Sequence, residues 1–199
     1  MKKSLVAILV LVGIVAVVLV WGIGVNNKLV TNEENVTKAW SQVENVYQRR
    51  LDLIPNLVKT VQGAANYEKG TLTEVVEARA KATAMQLNAD NLSEENIANF
   101  QKAQDELTAA LGRALTVTVE RYPELTATQG FRDLQVQLEG TENRISVERK
   151  NFNEAVQSYN TNLRRFPNNI VAAICGFDKK GYFKASEGAD KPVDVEFDF

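Results

Sequence analysis

Residues 131–163 read FRDLQVQLEGTENRISVERKNFNEAVQSYNTNL. Phe131, Leu138, Ile145, Phe152 and Tyr159 recur every seven residues, and Leu134, Val156 and Leu163 fill the neighbouring stripe. Side chains three, four and seven apart share one face of an α-helix, so this spacing predicts a long amphipathic helix with one apolar seam. Pro167 stops it, because proline lacks an N–H and crowds the turn before it. Such a seam must be buried against other helices, which decides what to look for in the rest of the chain.

Three further helical segments provide those faces. From Val36 the apolar positions Ala39, Trp40, Val43, Val46, Tyr47, Leu51, Ile54, Leu57, Val58 and Val61 fall at steps of one, three and four. They predict a helix from about Asn26 to Gly63, with Pro55 inside it and a kink expected there. A second helix is expected to open with Thr71-x-x-Glu74 as a capping box. A third begins at a Ser93 cap, with Glu94 and Glu95 in its first turn, and ends at Pro123. Four amphipathic helices with short connections predict an all-α fold, an antiparallel bundle of about four long helices. The breaks at Gly70 and Asn88–Asn91 argue against the runner-up, an extended coiled-coil dimer.

Ahead of the bundle lies LVAILVLVGIVAVVLVWGIGV, Leu5 to Val25, without a charge. Its 21 positions reach roughly 30 Å as a helix, the thickness of a bilayer's hydrocarbon. The run exceeds the apolar part of a cleavable signal, and no cysteine follows that could carry a lipid, so an uncleaved anchor is expected. Lys2 and Lys3 precede it, whereas Lys28 is offset by Glu33 and Glu34 after it. That bias keeps the N-terminus in the cytoplasm and places the residues after Val25 on the outer side of the membrane. The expected organisation is an anchor over 1–25, a helical bundle over 26–166 and a C-terminal segment over 167–199.

Composition narrows the chemistry. The 199 residues include no histidine, which removes Ser-His-Asp and Cys-His catalysis and His-dependent metal sites. A net charge of −2 leaves no basic footprint for nucleic acid. Nucleotide-binding loops, nucleophile elbows and metal-ligand spacings are missing from the sequence, so neither cofactor nor metal is expected. The lone Cys175 follows the apolar run Ile170–Ile174 and reads as a buried, inert thiol. Residues 193–199 alternate strictly, Val193-Asp194-Val195-Glu196-Phe197-Asp198-Phe199, and read as an acidic terminus that could add as a strand elsewhere.

Three blocks resemble the signature of the LemA family. The first is Arg49-Arg50-Leu51-Asp52-Leu53-Ile54-Pro55-Asn56-Leu57-Val58, preceded by Ala39-Trp40-Ser41. The second runs from Phe131-Arg132-Asp133-Leu134-Gln135 through Leu138–Ile145 to Arg149, Phe152-Asn153 and Tyr159-Asn160. The third is Phe166-Pro167, then Gly176-Phe177 and Tyr182-Phe183. The resemblance implies a membrane-anchored bacterial protein with a helical domain outside the cytoplasm and no established catalytic activity.

Candidate functional residues follow from these motifs. Trp40, Arg49, Arg50, Asp52, Pro55 and Asn56 are expected to be structural or to touch a partner. One arginine should pair across the bundle, and Asn56 should satisfy backbone groups freed by Pro55. Thr141, Glu142 and Arg149 interrupt the apolar seam, Asn153 and Asn160 continue a polar edge, and this layer should meet matching groups on another helix. The out-and-back helix lengths return the chain to the membrane near Pro167. Phe177, Lys179, Lys180 and Phe183 are therefore expected at the membrane surface, with an apolar cap of the bundle's open end as the competing reading. A cap would bury Ile170 and Ile174, whereas a membrane contact would expose Phe177 and Phe183. The function expected is a non-enzymatic envelope scaffold that binds proteins, including copies of itself. The alternatives are a module for lipid or wall polymer, or a carboxylate- or thiol-dependent hydrolase.

Overall fold

A computed structural model describes residues 2–63 and 69–185. Most of the described residues are helical, as expected. Helix α1 runs from Lys2 to Gln62, α2 from Lys69 to Ala84, α3 from Glu94 to Arg121, the single turn α4 from Pro123 to Thr126, α5 from Gln129 to Arg164, and α6 from Asn168 to Cys175. The alternating tail at 193–199 lies outside the described residues.

The membrane run and the first bundle helix are one element, α1. From Leu5 to Ile23 its large apolar side chains are exposed all round, and Val25 is the first buried one. Pro55 does not end the helix. Proline removes the bond to the carbonyl four residues back, that of Leu51. Arg79 Nε on α2 donates to this Leu51 carbonyl at 3.0 Å. Asn56, expected in that role, is exposed. A side chain from a neighbouring helix reaches the freed carbonyl, whereas Asn56 points away from it.

The seam of α5 is buried along its length: Phe131, Leu134, Leu138, Ile145, Phe152, Val156, Tyr159 and Leu163 all lie in the core. It packs antiparallel to α1, with Trp40 beside Phe152 and Arg50 beside Glu142. The α2–α3 hairpin covers the other side, completing an up-down-up-down bundle. Two apolar clusters fill it. One, around Trp40, Phe100 and Phe152, reaches from Val25 to Phe183, and the other surrounds Ile54, Leu107 and Phe131.

Local signals decide the ends. Ser93 Oγ accepts from Asn96 N and caps α3 as predicted. Thr71 caps nothing, because α2 already runs from Lys69 and Glu74 turns outward to Arg113 at 3.2 Å. Thr128, not recognised in the sequence, caps α5 by accepting from Phe131 N. Gly176, at φ 76°, closes α6 in the left-handed conformation that glycine adopts without strain. Cys175, expected to be buried, is exposed at that end, since α6 turns only a narrow strip around Ala172 inward.

Candidate functional site

Two polar constructions draw on the motif residues. The first is a knot at Arg50, whose side chain is 2% exposed. Arg50 Nη1 donates to Thr108 Oγ1 at 2.7 Å and to Glu142 Oε2 at 3.1 Å. Its Nη2 donates to both the backbone and the side-chain oxygen of Gln104. One planar guanidinium thus ties α1 to α3 and α5, a geometry that a lysine ammonium cannot copy. The fork also lies over Tyr47, 5.1 Å from the ring centre. Burial pushes the Tyr47 phenol up to about 12, against the opposing pull of Arg149 and Arg50. Arg50 Nε is buried without a hydrogen-bond partner.

The rest of the first motif divides by helix face. Leu51, Leu53, Ile54 and Leu57 point inward, whereas Arg49, Asp52 and Asn56 form an exposed stripe at three- and four-residue steps. Asp52 accepts from Gln48 Nε2 at 2.7 Å on the same helix. Trp40 is fully buried, and its Nε1 donates to the Leu87 carbonyl at 3.2 Å.

The second construction is an extended strap, residues 177–185, lying along α5 and the start of α3. Asn160 Nδ2 donates to the Lys180 carbonyl at 2.9 Å while its Oδ1 accepts from Lys180 N at 3.1 Å. Asn153 makes the same pair of bonds to Phe183, both at 2.9 Å. Gln101 on α3 repeats it with Lys184, at 3.1 and 3.0 Å. The spacing explains the match. Asn153 and Asn160 are two helical turns apart, about 10.5 Å. Lys180 and Phe183 are three extended residues apart, about 10 Å. Each carboxamide therefore meets both polar groups of one strap residue and does the work of a neighbouring strand.

Other contacts fasten the same segment. Tyr159 Oη donates to the Asp178 carbonyl at 2.9 Å. Burial, then Glu33 and Asp178, holds the Tyr159 phenol above its ordinary range. Arg149 Nη2 donates to the Lys184 carbonyl at 2.7 Å, and its guanidinium lies 4.9 Å from the centre of the Phe183 ring. Gly181 N donates to the Leu92 carbonyl at 2.7 Å. A Cβ on Gly181 would lie 2.6 Å from Glu94 Cα, so only glycine passes there.

These placements correct three expectations. Arg149, Asn153 and Asn160 meet the backbone of the strap instead of a polar layer on another helix; only Glu142 finds a cross-helix partner. Phe183, expected at the membrane surface, is 4% exposed and stacks on Trp40 within the aromatic cluster. Lys180 is not free for lipid phosphates, because its Nζ lies 2.8 Å from Glu33 Oε1 and its side chain is 11% exposed. Lys179 is exposed, and Phe177 packs partly against the core. Gln101, Gln104 and Thr108 were missed altogether. Their only sequence signal was a run of polar residues interleaved with the apolar face of α3.

An open cleft of about 680 Å³ lies between α5 and the strap, lined by Glu142, Ile145, Arg149, Asn153, Tyr182 and Phe183 among others. Of its polar lining, Glu142 is engaged by Arg50, Arg149 and Asn153 by the strap, and Glu154 by Lys150 at 3.9 Å. Glu142, Arg149 and Asn153 thereby join chain segments across the cleft.

The sequence is similar to several known proteins. Magnetosome proteins MamQ 1 and MamQ 2 of Paramagnetospirillum magneticum are each 29% identical over 185 residues, covering 84% of this chain and 67% of theirs. Protein LemA of Metamycoplasma hominis is 24% identical over 173 residues, covering 87% of this chain and 75% of its own. The profile of the LemA family matches residues 39–197, which takes in the knot and the strap together, and the chain belongs to that family.

Proposed function

We propose that this protein is a non-enzymatic scaffold of the bacterial envelope, tethered by residues 5–25 with its bundle outside the cytoplasmic membrane. The observation that carries the reading is the continuity of α1, in which one helix is both the apolar span and the central wall of the bundle. Such a helix fixes a rigid body directly onto its anchor, which suits presentation of a surface. Lys2 and Lys3 ahead of the span, against Lys28, Glu33 and Glu34 behind it, support the outward topology. The knot and the strap support a structural use for Arg50, Glu142, Arg149 and Asn160. The stripe of Arg49, Asp52 and Asn56 is the part of the motif that core packing leaves over, and we assign it to a protein partner. Tethered copies also meet at high local concentration in the membrane plane, which favours self-association.

Two measurements test this. In a Cys175→Ser background, Lys81→Cys should react with a membrane-impermeant maleimide on intact cells; reaction only after lysis would reverse the topology. A photo-crosslinker at Asn56 should capture the same partner as one at Arg49. A triple Arg49→Ser, Asp52→Ser, Asn56→Ser variant should keep its melting temperature and lose that partner. Unchanged capture by the triple variant would overturn the assignment.

A further inference from the structure

The register of α1 against α5 locates the bundle's lower end. Arg50 lies opposite Glu142 and Trp40 opposite Phe152. Advancing both helices at 1.5 Å per residue brings Arg164 back to about the level of Lys28, some 5 Å beyond the last residue of the apolar span. An independent contact agrees: Lys180, held by Asn160, reaches Glu33. The chain therefore turns from α5 into α6 where the anchor emerges.

At that level α6 has two unlike faces. Val171, Ala172 and Phe177 pack into the same cluster as Val25 and Leu29. Phe166, just before the helix, is 81% exposed, and Ile170 and Ile174 are 49% and 79% exposed. Ile170 and Ile174 are four apart on α6 and share one face, and Phe166 stands exposed in the turn that leads into it. Neither earlier reading survives whole: a cap would have buried Ile170 and Ile174, and Phe183 is not at the surface. Arg164, Arg165 and Lys179 flank these apolar residues, all exposed, with Asp178 as the acidic neighbour.

We infer that α6 is an interfacial helix, with Phe166, Ile170 and Ile174 immersed at the headgroup–acyl boundary beside the anchor and the flanking cations on lipid phosphates. The occupant is lipid because α6 packs at the level of Val25 and Leu29, directly after the stretch of α1, Leu5 to Ile23, that is exposed all round. An apolar face with cationic borders is what that boundary accommodates. The second contact would hold the bundle at a set tilt, since one helix alone leaves it free to lean. This inference rests on the membrane-anchor reading of residues 5–25.

The test uses the full chain in nanodiscs of phosphatidylethanolamine and phosphatidylglycerol. In a Cys175→Ser background, a nitroxide is placed at Val12→Cys, Ile174→Cys or Val136→Cys, the last at the far end of the bundle. Collision with oxygen should exceed collision with a water-soluble nickel chelate several-fold at positions 12 and 174, and the order should reverse at 136. A label at 174 that behaves like 136, while 12 remains in lipid, would overturn the interfacial helix and leave the anchor standing. A water-exposed label at 12 would overturn both. A label at 174 shielded from both reagents, and released when the protein is diluted into more lipid, would mean a second copy covers α6 and would also overturn the proposal.

Discussion

The Arg50 knot and the strap solve the same problem with opposite chemistry. Both join distant segments through polar side chains within an apolar body. The knot buries a charge, and its planar fork must find several acceptors at once. The strap's rungs are themselves uncharged, because each carboxamide donates and accepts with one residue's backbone, and the largely buried Lys180 ammonium is met separately by Glu33. A buried cation is costly to strand, so the knot is sensitive to any loss of acceptors. The strap is indifferent to most of its own side chains, but depends on the shape of its path, since Gly181 has no room for a Cβ.

The largest effect that would separate them lies in the knot. Arg50→Ala leaves Gln104, Thr108 and Glu142 without their common donor and opens a cavity, and is expected to cost about 3–5 kcal/mol. Arg50→Lys should recover only a minor part, because one ammonium cannot reach all three acceptors. Glu142→Gln keeps an acceptor oxygen on the half-exposed partner but removes the buried guanidinium's counter-charge, and should cost about 1.5–3 kcal/mol, less than Arg50→Ala. Thermal unfolding of the three variants checks the order; equal losses for Arg50→Ala and Glu142→Gln would show that the knot is a simple surface pair.

A pH experiment sharpens the same region. Tyr47 has its folded value raised to about 12, against about 10 in an unfolded chain. The folded state therefore holds a proton that the unfolded state releases between those values. The resulting contribution, about 2–3 kcal/mol, is complete below pH 10 and lost as the pH rises through 12. Denaturant midpoints should fall over that window and fall less steeply in Tyr47→Phe. Identical slopes would separate Tyr47 from the knot's alkaline stability.

The smallest effect belongs to the strap. Gly181→Ala drives a methyl into the backbone at Glu94, an overpacking cost of about 1–3 kcal/mol. Hydrogen exchange should speed up at residues 178–184 and leave α5 protected. Loss of protection throughout α5 would mean that the strap is integral to the bundle's cooperativity and does not unlatch by itself.

The two regions also differ in how far they could be read in advance. Arg50 stood beside Pro55 in a recognisable motif, and a partner across the bundle was expected; Glu142 was among the candidates, but Thr108 and Gln104 were not. Asn153 and Asn160 stood out as a polar edge beside the apolar seam, yet a partner helix was the expected place for their partners. Carboxamide-to-backbone pairing has no residue-type signature on the strap side, so sequence could not point to Lys180 or Phe183. For the same reason Phe183 looked like a surface aromatic until its backbone was seen held against Asn153.

Sequence alone determined the elements: seven-residue spacing along α5, the charge-free run from Leu5 to Val25, the Ser93 cap and the stops at Pro123 and Pro167. These are signals carried within a few turns of chain, where periodicity and local hydrogen bonding are enough. Tertiary structure decided which Arg is buried, which neighbour replaces the bond lost at Pro55, and which face of α6 is left bare. Each of those depends on side chains far apart in the chain meeting at one height, and that height was set only when α1 and α5 packed in register.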